Sequence, residues 1–340
     1  GAGDGADVPR VAEVVERRRA VAGAGPGAHR AFTIRGSHAA SMFETRADRN
    51  RDRRRHYAPA PNSTTIRANE LTLHPSPLAG ADPARVRIAA IILLSLLLRL
   101  YYVLIAPVGI SFENGIQGSD DEMSHMNYVL ALAHGDTIPV QADSPKTAGA
   151  LERNAFEYYQ PPLFYWLAAR VVDAVGGDLL ALQVRWARLL ATAFAIGQVL
   201  LSWPILRRAF PVRVHAEAAF LVVACLGAHV KATSLVTNDA LIYLLFTLAL
   251  LVMIWRRERG PSARLDAALA LVLALAWLTK SSAAVLSAFV LLAEFLQARS
   301  TRSWRALARA AIIVAAGALA AVPWYARNLR VYGELFAISA

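Results

Sequence analysis

The chain has 340 residues, of which 56% are apolar and 18% charged, and its formal net charge is +11. Soluble domains average about 45–50% apolar and about 25% charged residues, so this composition favours a membrane protein. Residues 1–87 contain 15 Arg against 9 acidic residues, and the rest of the positive excess lies at the ends of apolar segments. Such a distribution is typical of membrane topology signals and excludes a surface that reads nucleic acid. The single cysteine, Cys225, excludes an internal disulfide or a cysteine-based zinc site.

Residues 1–84 are predicted to form a disordered, basic tail on the cytoplasmic side. They are rich in Ala, Arg, Gly and Pro and contain few large apolar residues, so they cannot bury a core. The segment has no signal-peptide pattern and begins with Gly. A second interpretation stays open, in which Met42 is the start and the upstream part is a misassigned extension. The second domain, 85–340, is predicted to be the membrane-embedded part.

Seven apolar runs in the second domain have about the length needed to cross ~30 Å of hydrocarbon at ~1.5 Å per residue. They are 88–108, 186–206, 214–236, 239–255, 265–280, 282–297 and 307–324. The fold is therefore predicted to be all-α, a polytopic bundle of about seven transmembrane helices.

Segment 161–177 is predicted to lie flat in the membrane interface, because its apolar run is only about eight residues long before Arg170. The basic loops near 207–213, 256–264 and 299–305 then join the tail on the cytoplasmic side, as the positive-inside rule requires. Seven spans leave a long outer loop, 110–184, with interfacial helices. We therefore expect a multi-pass membrane protein whose function lies on the outer face.

The outer loop begins with an acidic motif, Gly118-Ser119-Asp120-Asp121-Glu122-Met123-Ser124-His125. Adjacent carboxylates can act as a general base or bind a metal ion, although a solvated acidic loop is the simpler reading of this motif alone. Five further stretches on the same predicted face follow it. They are Leu130-Ala131-x-x-x-Gly135-x-x-x-Pro139, Glu157-Tyr158-Tyr159-Gln160-Pro161-Pro162, His229 with Ser234 to Leu241, Leu278-Thr279-Lys280-Ser281-Ser282, and Pro323-Trp324-Tyr325-Ala326-Arg327-Asn328-x-x-x-Tyr332-Gly333.

In this order, the six stretches resemble the GT-C membrane glycosyltransferases, a group that includes aminoarabinose transferases and protein O-mannosyltransferases. The resemblance implies a transferase that moves a hexose or pentose, with inversion, from a polyprenyl-phosphate donor to a hydroxyl acceptor. A lipid, a glycan or a protein could supply that hydroxyl, as in lipopolysaccharide or protein glycosylation of the cell envelope. The resemblance also implies a bacterial inner (plasma) membrane, with the active face periplasmic or extracellular.

By the same resemblance Asp121 is the general base, and Glu122 supports it by hydrogen bonding or by holding a divalent cation. The implied ligands of the lipid phosphate and sugar are Lys280, Arg327, Lys231, Asp239, His125, Tyr159 and Gln160. Simpler roles stay open for these side chains, because interfacial Lys, Arg and Tyr are ordinary membrane anchors and Asp239 could cap a helix. No cofactor is certain; a divalent metal ion with Glu122 and His229 as weak candidate ligands stays open.

The chain also departs from the aminoarabinose-transferase pattern, which has Glu-Lys where this sequence has Tyr159-Gln160. This departure puts a metal requirement in doubt and gives Lys280 more weight as a phosphate ligand. Family members continue beyond the last motif, so we expect a C-terminally truncated enzyme. Two other classes stay open, namely a transporter or flippase and an inactive membrane fragment of a glycosyltransferase.

Overall fold

The computed structural model describes residues 82–108, 122–135, 138–141, 157–177 and 179–336. Within these ranges the regular secondary structure is all helical, with no strand, and all of it belongs to one compact unit, Pro75–Ala340. The all-α prediction is confirmed for this part of the chain. The helices are α1 Pro83–Ile105, α2 Glu122–Ala133, α3 Leu163–Val175, α4 Leu180–Ala209, α5 Arg213–Cys225, α6 Gly227–Ser234, α7 Asp239–Arg259, α8 Ala263–Trp277, α9 Ala283–Thr301, α10 Trp304–Leu319 and α11 Val322–Tyr332.

Several of these helices could cross a membrane. Four of them, α1, α4, α7 and α9, are long and apolar enough, and the number rises to six if each of two bent pairs is one span. The pairs are α5 with α6, bent by 45°, and α10 with α11, bent by 53°. Helix α8 has only 15 residues. The described residues therefore contain four to six candidate membrane spans by length and composition, and the count of seven stays a prediction.

Local sequence explains where three of the helices begin or end. The carboxylate of Asp82 accepts a hydrogen bond from the Ala84 amide at 2.9 Å and so caps α1, which has Pro83 in its first turn. Gly260, with φ of 81°, ends α7 in a conformation that other residues rarely adopt. The Ser262 hydroxyl then caps α8.

Helix α8 returns along α7, and contacts fix both of its ends. Near its start, Asp266 accepts from Arg256 Nε at 3.0 Å, close to the C-terminal end of α7. Just beyond its last residue, the Thr279 carbonyl accepts from Asn238, the residue before α7, at 3.2 Å. Segment 263–279 therefore covers the same length of the bundle as α7.

Helix α10 packs very closely on α8 at Gly317. A Cβ added there would lie 2.6 Å from the Leu273 Cβ and 3.2 Å from the Ala270 carbonyl oxygen. Small residues allow membrane helices to approach in this way. Because the obstructing Cβ and carbonyl belong to α8 itself, any side chain at this position would push the two helices apart.

The contacts divide the bundle into two ends. One, which we call the arginine end, joins the start of α1 to the α4–α5, α7–α8 and α9–α10 connections. The ion pairs at this end are Arg87–Glu217, Arg213–Glu217, Arg208–Glu258, Arg256–Asp266, Arg256–Glu294 and Arg309–Asp266. The three predicted basic loops thus meet at one end of the bundle. The other end, which we call the site end, contains the sequence motifs described below.

Helix α3, predicted to lie flat, is amphipathic. It buries Phe164 and Tyr165 completely, while Trp166 is 49% exposed. The Arg170 guanidinium lies 5.3 Å from the centroid of the Trp166 ring and 4.0 Å from the Asp173 carboxylate. A 13-residue helix of this kind is short for a span and has the polarity of an interfacial helix.

Candidate functional site

The most deeply buried ion pair of the site end joins Glu122 to Arg188. Arg188 Nε donates to one Glu122 oxygen at 2.7 Å and Nη2 donates to the other at 2.5 Å. The Val236 amide also donates to this carboxylate at 2.8 Å. Arg188 further donates to the Ala106 and Pro107 carbonyls at the end of α1. This network fixes the start of α2 against α1, α4 and the segment before α7.

A second cluster lies at the start of α7. Lys280 Nζ is 2.6 Å from the Asp239 carboxylate, and both side chains are 27% exposed. The neighbouring Asn238 is fully buried and donates to the Thr279 carbonyl at 3.2 Å and to Gln160 Oε1 at 3.4 Å. Three motifs that are up to 120 residues apart in sequence therefore meet here, and the lysine stays accessible.

His125 lies one turn beyond Glu122 in α2, inside an aromatic stack. Its Nδ1 is 2.7 Å from the Tyr165 hydroxyl, and the Tyr165 ring stacks on Tyr128 with centroids 4.2 Å apart. Burial, and to a smaller extent the positive charge of Lys280, lowers the pKa of His125 from 6.5 to about 3. Burial raises the pKa of Tyr165 well above 10. Both groups are therefore neutral near pH 7 and can only exchange hydrogen bonds there.

Helix α11 adds the third cluster. The Tyr159 carbonyl accepts from Asn328 Nδ2 at 2.9 Å and from Trp324 Nε1 at 3.2 Å. Arg327 donates to the Pro139 carbonyl at 2.8 Å, and its guanidinium lies 4.8 Å from the centroid of the Trp324 ring. Because Gln160 follows Tyr159, this cluster is continuous with the one around Asn238.

Three buried polar atoms at this end have no hydrogen-bond partner among the described residues. They are Asn238 Oδ1, Ser124 Oγ and Tyr128 Oη. Buried polar groups are nearly always satisfied, and each one left unpaired costs about 1–3 kcal/mol. These atoms are therefore suited to bind water or the hydroxyl groups of a ligand.

Two predicted residues lie apart from these contacts. Lys231 is exposed and forms no ion pair within the described part of the chain. His229 Nδ1 is 3.1 Å from Arg99 Nη2, and its ring stacks on Tyr243 with centroids 5.5 Å apart. Arg99, buried completely within α1, also donates to the Ala224 carbonyl at 3.0 Å. This arrangement favours a structural role for His229 in joining α1 to α6.

The predicted general base, Asp121, lies outside the described residues, as does Asp120. No group of three or more His, Cys, Asp or Glu side chains that could hold a metal ion exists among the residues described. The candidate ligand Glu122 instead neutralises Arg188.

Sequence reasoning missed Arg188 and the role of Asn238. Arg188 is the third residue of the predicted apolar run 186–206. A charge inside a membrane span has a high free-energy cost, which suggests that it has a specific partner. That signal was present, but the partner, 66 residues away, could not be read from it. Comparisons with protein-family models, curated proteins and solved structures find no match to this chain. Function must therefore be inferred from the site residues and from the motif resemblance.

Proposed function

We propose that this protein is an inverting membrane glycosyltransferase that uses a polyprenyl-phosphate sugar and acts at the site end. The main support is the convergence just described. Motifs at Glu122, Gln160, Asn238–Asp239, Lys280 and Arg327 are spread over about 200 residues, yet hydrogen bonds from their side chains or from adjacent residues connect them at one end of the bundle. Chance similarity of short motifs would not predict such proximity.

We further propose seven spans with the site end facing the periplasm. The argument depends on α8, because both of its ends are fixed to the ends of α7, a helix that is long enough to cross. If α7 crosses the membrane, α8 must return through it. The described chain then crosses an odd number of times, and the basic loops all lie on the side of the tail, which is cytoplasmic by the positive-inside rule.

In the proposed reaction an acceptor hydroxyl attacks the anomeric carbon of the donor. The new C–O bond forms as the bond between that carbon and the phosphate oxygen breaks, and Asp121 takes the hydroxyl proton. The lipid phosphate leaves with the bonding electrons and needs positive charge nearby. Lys280, at 27% exposure and held by Asp239, and Arg327 beside Trp324 can supply that charge.

Glu122 acts in this proposal as a positioning residue. It is covalently adjacent to Asp121 and is itself held by Arg188 and by the Val236 amide. Its carboxylate is already neutralised by a guanidinium, so we give it no part in proton transfer. His125 and Tyr165 form a neutral, buried pair and are hydrogen-bonded to each other, so the pair supports the site from below without adding charge.

The test is glycosyl transfer in membranes supplied with a labelled polyprenyl-phosphate sugar. Asp121→Asn should lower turnover about 10²–10⁴-fold and leave donor binding intact. Lys280→Gln should weaken donor binding, and Lys231→Gln, an exposed lysine outside the clusters, is the matched control. Full turnover in Asp121→Asn would overturn the proposal, and donor translocation without transfer would point to a flippase.

Sidedness has its own test. Single cysteines at Ser281 and Ser300, introduced into Cys225→Ala, would be labelled with a membrane-impermeant thiol reagent in intact cells and in inverted vesicles. We expect Ser281→Cys to react from the periplasm and Ser300→Cys from the cytoplasm. Labelling of both from the same side would exclude the proposed topology.

A further inference from the structure

The arginine end contains a cavity of about 380 Å³ between the C-terminal ends of α7 and α9 and the start of α10. Its walls include four arginines and only one acidic side chain. The polar groups that matter are Arg256, Arg257, Glu294, Gln297, Arg305 and Arg309. The cavity lies at the opposite end of the bundle from Lys280, so it is separate from the proposed catalytic site.

The charges in this cavity are only partly balanced. Arg256 is paired with Glu294 at 2.9 Å and with Asp266 at 3.0 Å, and Asp266 also pairs with Arg309 at 3.1 Å. Within the described ranges, Arg257 donates only to a neutral carbonyl, that of Ala293, at 3.0 Å. The fourth arginine, Arg305, is exposed and forms no ion pair within the part of the chain that the structure describes.

Two guanidinium groups that line the same cavity and have no ion-pair partner among the described residues are suited to bind a phosphate. Arginine presents several N–H donors in a planar arrangement that matches phosphate oxygens. Gln297 adds a neutral donor to the same wall. Arg256, by contrast, is already saturated by carboxylates and acts as the floor of the site.

An apolar groove of about 510 Å³ lies next to this cavity. The two share Arg257 and Gln297, and the groove continues between α4, α7 and α9 past Ile254, Leu296 and Phe289. From Phe289 to Gln297 it extends about 12 Å along α9 at ~1.5 Å per residue. Phe289 and Leu296 are 46% and 56% exposed, so the groove opens sideways toward the hydrocarbon.

We infer that this cavity and groove together bind one anionic phospholipid, with its phosphate between Arg257 and Arg305 and an acyl chain along the groove. The polar cavity alone would fit any small anion, and the groove alone any hydrocarbon chain. Their junction at Arg257 and Gln297 requires a molecule with both parts. A bilayer phospholipid of the leaflet at the arginine end meets this requirement and reaches the groove from the side.

The experiment is titration of the purified full chain in a zwitterionic detergent, with bound lipid counted by native mass spectrometry. The probes are phosphatidylglycerol, phosphatidylcholine, a polyprenyl phosphate and inorganic phosphate. We expect phosphatidylglycerol to bind most tightly. If phosphatidylcholine binds equally well, charge does not select the lipid and the inference fails. If inorganic phosphate competes equally well, the groove does not contribute to binding and the inference also fails. If polyprenyl phosphate binds more tightly, the site belongs to a different lipid.

Two variants and one control locate the site. Arg257→Gln/Arg305→Gln should weaken phosphatidylglycerol binding about thirty-fold, since each basic residue near an anionic lipid is worth about fivefold. Ala293→Leu, which fills the groove without a change of charge, should weaken the same lipid and leave inorganic phosphate unaffected. Arg264→Gln/Arg299→Gln removes two exposed arginines of the same end that do not line the cavity. An equal loss in this control pair would show general attraction to the charged end and would overturn the inference.

Discussion

Two ion pairs with similar distances, one at each end of the bundle, differ strongly in burial. At the site end, Glu122 and Arg188 have side chains only 3% and 1% exposed. At the arginine end, the side chains of Arg208 and Glu258 are 38% and 43% exposed, although their atoms also approach within 2.6 Å. A buried pair cannot lose one partner without leaving an isolated charge in a medium of low dielectric, whereas water replaces a lost partner at the surface. Similar distances thus carry very different free energies.

One network shows that burial, and not the choice of end, causes this difference. Arg256 belongs to the arginine end, yet its side chain is only 5% exposed and is held between Asp266 and Glu294. It ties together α7, α8 and α9. Buried charges at either end are therefore expected to be structural unless a ligand can reach them, and the partial exposure of Lys280 is what distinguishes it.

The largest effect is expected from Glu122→Gln. This change leaves Arg188 buried with its charge uncompensated and should lower the free energy of unfolding by about 3–5 kcal/mol, measured by denaturation in mixed micelles. Replacing both residues by methionine should recover much of the loss, because no buried charge then remains. A loss as large in the double variant would show that packing, and not charge, holds this region together.

The second effect is a pH dependence of the unfolding free energy to which the buried His125 should contribute. The pKa of His125 is lowered from 6.5 to about 3, so the unfolded chain binds a proton below pH 6.5 that the folded chain does not. Stability from this group is complete above about pH 6.5 and is lost as the pH falls, by about 1 kcal/mol between pH 7 and 5.5.

The check is the unfolding free energy of the wild type and of His125→Gln as a function of pH. The variant should lose about 1 kcal/mol of this dependence between pH 7 and 5.5, and the part that other groups such as His229 cause should remain. His215→Gln, which removes an exposed histidine of the arginine end, should keep the wild-type slope. A wild-type slope in His125→Gln would mean that other groups alone control the acid sensitivity.

The lengths of the apolar runs predicted the helices well, because the thickness of the hydrocarbon core sets the length of a spanning helix. Six of the seven predicted runs correspond to candidate spans, two of them only when bent pairs are joined. The bends at Leu226 and near Pro323 could not be read from hydropathy, which averages over such interruptions. The length of α8 was overestimated because Leu278 to Lys280 form a turn, and not the last turn of a regular helix.

In the candidate site, the sequence pointed to individual side chains but not to the residues that they contact. Asp239 and Lys280 were both singled out, but their ion pair depends on how α7 and α8 pack, and single motifs do not specify that. Lys231 and His229 matched the same criterion of a polar residue in an apolar run, and they lie outside the clusters. Both residues belong to α6 and not to the start of α7, where the cluster around Asp239 lies.

The third prediction separates stability from function at the accessible pair. Lys280→Gln should change the unfolding free energy by only about 1 kcal/mol, because both partners are partly in water. If Lys280 stabilises the leaving phosphate, turnover should nevertheless fall about 10²-fold. Asp239→Asn keeps the cation and should affect turnover less. Unaltered turnover in Lys280→Gln, measured with labelled donor, would remove the lysine from the reaction.

The smallest effect is expected from the exposed pair of the arginine end. In Arg208→Gln the guanidinium that Glu258 contacts at 2.6 Å is lost, yet Glu258 is then simply hydrated. We expect no measurable change in unfolding midpoint or in glycosyl transfer, and the same result for Glu258→Gln. The atoms of this pair are as close as those of Glu122 and Arg188. Comparing Arg208→Gln with Glu122→Gln therefore tests the effect of burial at nearly constant distance. A large destabilisation by Arg208→Gln would show that the surface of this end is shielded from water, and the contrast between the two ends would then fail.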